Sequence, residues 1–238
     1  MVSFTRRAHR MLKYDLHIHS RFSRDGVLDV RDIFKIAKKR GLDGIAVTDH
    51  DTIRGGLEAL REKPGDLDVI CGCEVKTDRG DVIGLFLTEE IRSRDHISAI
   101  EEIHAQGGVA IVPHPFDSAR GSAFWLTDRD AGLFEAVEVL NARCIAPRYN
   151  TAASLYADRH AKARVGGSDA HFGAEIGNAG TLIEEGDDPG EAIRGRGAAA
   201  FGRTSSPFFH LRTAALLAER RVTGRNRPRP ADSRHPRA

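Results

Sequence analysis

The sequence predicts an α/β protein folded as a distorted TIM-like barrel. Short apolar runs of strand character alternate with segments of helical periodicity along most of the 238 residues, an order that implies a mainly parallel sheet. Nearly every such run ends in a cluster of His, Asp, Glu or Asn, and barrels of this kind gather their reactive side chains at the C-terminal ends of their strands. The length fits one barrel without a second domain, and residues 12–221 are assigned to it.

The elements follow in order. Met11 to Leu16 is mostly apolar and runs through Asp15-Leu-His17-Ile-His19-Ser20 into the polar stretch Arg21-Phe-Ser-Arg24-Asp25-Gly26, which reads as a strand stopping at a loop. Residues i and i+2 of a strand share a face, so His17 and His19 can reach one metal ion. That spacing alone is weak evidence, because two unrelated histidines fall at it by chance. Val30, Ile33, Phe34 and Ala37 then recur at helical spacing, and Lys38-Lys39-Arg40 precede Gly41, a basic last turn followed by a stop.

Gly44 to Thr48 is a short buried strand that leads into Asp49-His50-Asp51. A helix through Leu57, Ala59 and Leu60 ends before Pro64-Gly65, and a strand from Asp68 closes on Glu74. Val82 to Leu87 is another strand, Ile97, Ile100 and Ile103 line a helix, and Val109 to Val112 leads into Pro113-His114-Pro115. Ala136 to Leu140 ends at Asn141-Ala-Arg143, and Ala163 to Gly166 ends at Gly167-Ser168-Asp169-Ala170-His171. Ala198 to Phe201 is a last short strand, and Phe208, Leu211, Ala215 and Ala218 mark a closing amphipathic helix. Residues 222–238 hold Arg, Pro, Gly, Asn and Ser with almost nothing to bury, and are expected to form a disordered basic tail.

Composition narrows the function classes. A formal charge of +2 is too small to argue by itself for nucleic acid or an anionic membrane. The first residues lack the apolar core of a secretory signal, and no apolar run approaches a membrane span. Cys71, Cys73 and Cys144 show no Cys-x-x-Cys spacing, so neither a disulfide framework nor a zinc finger is indicated. A soluble cytoplasmic protein is the expectation; the oligomeric state is left open.

The strand ends together supply His17, His19, Asp25, His50, Glu74, His114, Asp169 and His171. Imidazoles and carboxylates are ligands preferred by zinc, manganese and iron, and no thiolate is needed. A single such residue is more often a cap or a hydrogen-bonded loop side chain, an explanation that strains when eight converge. No Gly-rich phosphate loop of the Gly-x-x-x-x-Gly-Lys type is present. Arg21, Arg24 and Arg143 lie beside these tips and can clamp a phosphate by two hydrogen bonds, Arg143 being favoured, although most arginines in such a chain are simply exposed. His9, His96, His104, His160, His210 and His235 lie off the strand tips and are assigned no chemistry.

The motifs Asp-Leu-His-Ile-His-Ser (15–20), Thr-Asp-His-Asp (48–51), Gly-Cys-Glu-Val (72–75), Pro-His-Pro (113–115) and Gly-Ser-Asp-Ala-His (167–171) make the chain resemble the PHP family, named for polymerase and histidinol phosphatase. Leu42 to Thr48 and Glu138-Val-Leu-Asn141 also look like its smaller phosphoesterases. The resemblance implies a distorted (βα)7 barrel with two or three divalent ions (Zn, Mn or Fe). His17, His19, Glu74 and Asp169 would hold one ion, Glu74 would bridge to a second held by His114, and Asp25, His50 and His171 would hold a third. Where several members supply a His or Cys to the second ion, this chain has Asn141, a weaker ligand. Asn141 and Arg143 are taken as substrate-binding.

The implied reaction is phosphoester hydrolysis by a metal-activated water, on nucleotides or other small phosphate esters. A 5′-3′ exonuclease acting on a nucleic-acid end is the alternative. An amidohydrolase and a non-catalytic scaffold are the lesser ones. No gap between motifs holds an inserted domain, so the mouth is expected to be fairly open and covered by loops alone.

Overall fold

The computed structural model describes residues 10–223. In chain order its elements are β1 (Met11–Ile18), α1 (Val30–Lys39), β2 (Gly44–Val47), α2 (Arg54–Glu62), β3 (Asp68–Lys76), β4 (Asp81–Leu85), α3 (His96–Ala105), β5 (Val109–Val112), β6 (Ala136–Asn141), α4 (Pro147–Arg159), β7 (Ala163–Gly167), β8 (Ala179–Glu184), α5 (Pro189–Arg194), β9 (Ala199–Gly202) and α6 (Phe208–Val222). The strands form one 9-stranded sheet in the order β7-β6-β5-β4-β3-β2-β1-β8-β9. It curls into a nearly closed, distorted TIM-like barrel. Across the seam, the Thr181 hydroxyl accepts the Gly166 N–H and donates to the Gly166 carbonyl, both at 2.9 Å.

The local signals produce these elements for identifiable reasons. Asp29 caps α1 by accepting the Arg31 N–H, and Val30, Ile33, Phe34 and Ala37 are its buried stripe. Gly41, at φ +69°, follows its C-terminus, a conformation that costs glycine little. The stripe packs with Ile18, Ile45 and Val47 of β1 and β2. Burial of each large aliphatic side chain stabilises by about 1.5–3 kcal/mol, and this fixes the strand ends that carry the polar tips.

Strand direction departs from the mainly parallel expectation. β1–β2, β2–β3, β5–β6 and β6–β7 are parallel, whereas β4 runs antiparallel to both β3 and β5, and β8 to both β1 and β9. The turn between β3 and β4 is the cause. The Thr77 N–H donates to the Gly80 carbonyl at 3.0 Å, and so short a connection can join only antiparallel strands. β3 also runs on to Lys76, two residues past the expected stop at Glu74. β8 was not anticipated from the sequence.

The closing helix forms, but it turns the other face inward. Phe208, Leu211, Ala215 and Ala218 are exposed, while Phe209, His210, Thr213, Leu216, Leu217 and Arg220 are half-buried. α6 lies across a polar mouth and not on an apolar surface, so its mixed face is the one that fits. Of the expected tail, Val222 ends α6 and Thr223 caps it; residues 224–238 lie outside the described residues. No helix among the described residues is long and apolar enough to cross a membrane.

Candidate metal and phosphate site

β1 delivers His17 and His19 to one face, with their Nε2 atoms 3.1 Å apart. Glu74 Oε2 from β3 lies 3.3 Å from each of them, and Asp169 Oδ1, just past β7, lies at 3.7 and 3.4 Å. The other Glu74 oxygen is 2.8 Å from His114 Nε2, past β5. His50 Nδ1 is 3.2 Å from Glu74 Oε2, and the Nε2 atoms of His50 and His171 each stand 3.4 Å from Asp25 Oδ2. All eight sequence-derived candidates therefore meet at one mouth, and all but His50 are buried.

So many buried lone pairs pointing at one another need protons or cations between them. Their ligand atoms fall into groups within 4.8 Å, namely His19/Asp25/His50/His171, His17/His19/Asp169 and His17/Glu74/His114. The donor set thus suits divalent cations, with nitrogen and oxygen ligands only. The grouping differs from the one the resemblance implied, because His19 stands close to both ends of the cage and His17 reaches towards His114 as well.

Outer partners orient the rings. His17 Nδ1 lies 3.1 Å from Glu138 Oε1, His19 Nδ1 lies 3.1 Å from Ser23 Oγ, and His171 Nδ1 lies 2.9 Å from the Asp169 carbonyl oxygen. A proton held on Nδ1 of His17 and His19 by such a partner leaves Nε2 free for an ion, whereas His171 Nδ1 also accepts from Arg143 Nη1 at 2.8 Å. Below them, the buried Asp15 accepts the N–H groups of Ser168 at 2.9 Å and Gly177 at 2.8 Å, tying β1 to the turn that carries Asp169. Burial pushes the Asp15 carboxyl up to about 6.

Electrostatics divides the histidines. Burial works against charge on His50, but the Glu74 and Asp25 carboxylates prevail and push it up to about 10. Burial dominates at His171, with positive neighbours adding to it, and pushes that ring down to about 4. Glu74 is held well below the usual carboxylate range by His17 and His50 against the opposing effect of burial. Asp169 is likewise held low, by Arg120 and His17.

The two residues expected to bind substrate are placed differently. Asn141 is fully buried, and its amide is spent internally: Nδ2 donates to Glu138 at 2.9 Å and Asp169 at 3.3 Å, while Oδ1 accepts from the Arg143 backbone at 2.8 Å and from Arg120 at 3.2 Å. It is a strut between β6 and the Asp169 turn, not a contact surface. Arg143 lines the cavity, yet its guanidinium donates to the Phe209 carbonyl at 3.0 Å and the Thr213 hydroxyl at 2.8 Å, and its Nε lies 3.1 Å from Glu175. Arg21 is held by Asp29 and Glu58, which leaves Arg24 as the loop arginine at the mouth.

The sequence reading missed Arg120, the role of Glu138 and the place of α6 beside the mouth. Arg120 sits in an irregular loop and had no periodic signal. Glu138 was visible as an acid inside the apolar run Ala136-Val-Glu-Val, an oddity that marks a buried partner. The cavity above the cage measures about 300 Å³, with Arg24, Lys76, Arg120 and Arg143 on its wall and His210, Thr213 and Leu217 of α6 along one side. Loops alone therefore do not cover the mouth. Arg220 fastens the helix there by donating to the carbonyl oxygens of Arg24 and Gly26.

A distorted α/β barrel with imidazoles and carboxylates gathered at one mouth defines a class of proteins whose strand ends form a metal-ligating donor set. This chain belongs to the PHP family: the PHP domain model matches residues 15–165, and a PHP-associated model matches residues 147–194. It is 41% identical over 146 residues to an uncharacterized protein of Methanocaldococcus jannaschii, covering 55% of this chain and 82% of that one. It is 42% identical over 67 residues to a 5′-3′ exoribonuclease of Haemophilus influenzae, which is 28% of this chain and 24% of that enzyme. In fold it is similar to a two-domain protein from Bacteroides vulgatus containing a predicted PHP-like metal-dependent phosphoesterase. There the TM-score is 0.64 at 23% identity, over 82% of this chain and 66% of that one.

Proposed function

We propose that this chain is a metal-dependent phosphoesterase that hydrolyses small phosphate esters, nucleotides among them, with water as the nucleophile. The observation that carries the reading is the stacking of two layers. A cage of His17, His19, Asp25, His50, Glu74, His114, Asp169 and His171 lies beneath a cavity walled by Arg24, Lys76, Arg120 and Arg143. The lower layer suits divalent Zn, Mn or Fe and the upper layer suits phosphate oxygens. Bound ions would supply a Lewis acid and a water acidic enough to ionise near neutral pH.

The chain's own groups do the rest. Glu138 and Ser23 hold the proton side of the His17 and His19 rings, so their Nε2 atoms stay turned inward, and Arg143 donates to Nδ1 of His171. The cavity cations orient the phosphate and offset its charge. Thiol attack is disfavoured, since Cys71, Cys73 and Cys144 are buried and their thiols are pushed up, Cys71 to about 12. A cavity of about 300 Å³ with a helix along one side favours a phosphate on a small group over a long polymer.

Metal analysis of protein purified without chelator, followed by a screen of phosphate mono- and diesters, tests this reading. Bound divalent ions and monoester turnover that chelation abolishes and Mn²⁺ or Zn²⁺ restores are expected; undiminished turnover in metal-free protein would reject it. The Haemophilus relative makes 5′ trimming of nucleic acid the second reading. Stepwise trimming of 5′-phosphorylated oligonucleotides that outpaces mononucleotide turnover and is strongly suppressed by salt would favour that reading instead.

A further inference from the structure

Sharing out the ligand atoms exposes a shortfall. His17 Nε2, His19 Nε2, Glu74 Oε2 and Asp169 Oδ1 surround one position. Asp25, His50 and His171 surround another. His17 Nε2 also groups with Glu74 and His114, but one nitrogen lone pair serves one ion. Given to the first position, it leaves a third only Glu74 Oε1 and His114 Nε2, 2.8 Å apart, and a firmly held ion needs about three protein ligands. Asn141 does not make up the number, because its amide oxygen is taken by the Arg143 N–H and by Arg120.

His114 itself is not prepared as a ligand. Its Nδ1 is buried and has no hydrogen-bond partner among the described residues, unlike the Nδ1 atoms of His17, His19 and His171. Freeing Nε2 for an ion would move the ring proton to Nδ1 and leave a buried N–H with no acceptor. As the ring stands, an Nε2–H donating to Glu74 accounts for the short contact without an ion.

A cation already stands on this side of the centre. Arg120 donates from Nη1 to Asp169 Oδ2 at 2.6 Å, from Nη2 to Asn141 Oδ1 at 3.2 Å and from Nε to Asp117 at 3.2 Å. A guanidinium is never deprotonated in a protein and carries five N–H donors. Three are used here, and the residue lines the cavity, so the remaining two are available to a phosphate oxygen. An ion beside Asn141 would also meet this fixed positive charge across a buried, poorly screened space.

We infer that Arg120 stands in for a third ion, so that the centre consists of two divalent cations and one guanidinium, and that Arg120 binds the substrate phosphate directly. This rests on the phosphoesterase reading above. It makes Asn141 and Arg120 a matched pair: the amide that cannot serve as a strong ligand instead positions the arginine that makes the ligand unnecessary.

The test is a count of ions on the native chain, loaded with Mn²⁺ and freed of excess by gel filtration, together with calorimetric binding of inorganic phosphate. Two ions per chain are expected. Arg120→Met should keep two ions and bind phosphate about tenfold or more weakly, as loss of a charge-assisted pair predicts. Arg120→Lys, which keeps the charge without the fork, should fall between. Three ions on the native chain, or unchanged phosphate affinity in folded Arg120→Met, would overturn the inference while leaving the phosphoesterase reading standing. A chain that binds no divalent ion and hydrolyses no ester would remove both. Because the ion count uses the native protein, it decides the matter even if the Met variant does not fold.

Discussion

Glu138 Oε1 lies 3.1 Å from His17 Nδ1, and the same carboxylate accepts the backbone N–H of His114 at 2.8 Å through its other oxygen. One buried acid therefore orients an imidazole on β1 and anchors the loop after β5. Glu138→Gln keeps the shape but loses an acceptor. It is expected to weaken divalent-ion affinity by about 10–100-fold, the usual cost of losing an outer partner, while thermal unfolding stays cooperative. Titration of metal-free protein measures this, and unchanged affinity would show that the His17 tautomer is set elsewhere.

Glu74 and Asp169 face the ions directly on the proposed reading. Glu74→Gln and Asp169→Asn are each expected to lower ester turnover by more than the about 10–100-fold of an outer-partner loss, with the barrel still folded by circular dichroism. Steady-state kinetics of both variants at saturating Mn²⁺ decides it. Near-wild-type rates in either one would contradict the assignment of that residue.

The histidines make stability depend on pH in the metal-free protein. His50 is raised from 6.5 to about 10, so the stability it contributes is complete below pH 6.5 and is lost as pH rises through about 10. Cys71, raised from 9.0 to about 12, adds a loss of the same sign above pH 9. His171, depressed from 6.5 to about 4, acts oppositely: its contribution is complete above pH 6.5 and is lost as pH falls through about 4. The melting temperature of metal-free protein should thus decline between pH 7 and 9 and further above pH 9. An ion that displaces the His50 proton should flatten the slope and release protons on binding. Equal slopes with and without metal would refute the coupling.

The α6 wall is held by polar anchors, and none of its residues is fully buried. Arg220→Ala removes its bonds to the loop that carries Asp25 and is expected to raise KM for small esters several-fold while shifting the melting temperature by only a few degrees. Deletion of residues 224–238 spares every one of these anchors and should change neither value. A fall in melting temperature on that deletion would mean that the segment docks on the barrel.

Much of this architecture is legible in the residues. The polar tips after β1, β2, β3, β5 and β7 are local signals, and their convergence follows once the strands share a barrel. Strand direction is not legible in the same way: Val82-Ile-Gly-Leu is apolar in either sense, and only the length of the turn before it reverses β4. β8 escaped because Ala-Gly-Thr-Leu-Ile-Glu carries neither strong alternation nor a turn signal of the expected kind. The inward face of α6 was misread because helical periodicity shows which residues share a face. It does not show whether that face meets oil or a charged mouth. Arg120 depends wholly on tertiary placement, and no window of sequence around it points to Asp169.

The eight clustered side chains lie between residues 17 and 171, whereas the helix that walls the cavity spans 208–222. A chain made from its N-terminus onward has all eight of these residues before it has that helix. On the proposed reading, the ligand set is thus complete in the sequence before the helix that walls its cavity, and the two are separable parts of the chain. Arg220, latching onto the loop that carries Asp25, joins the helical wall to the loop that follows β1.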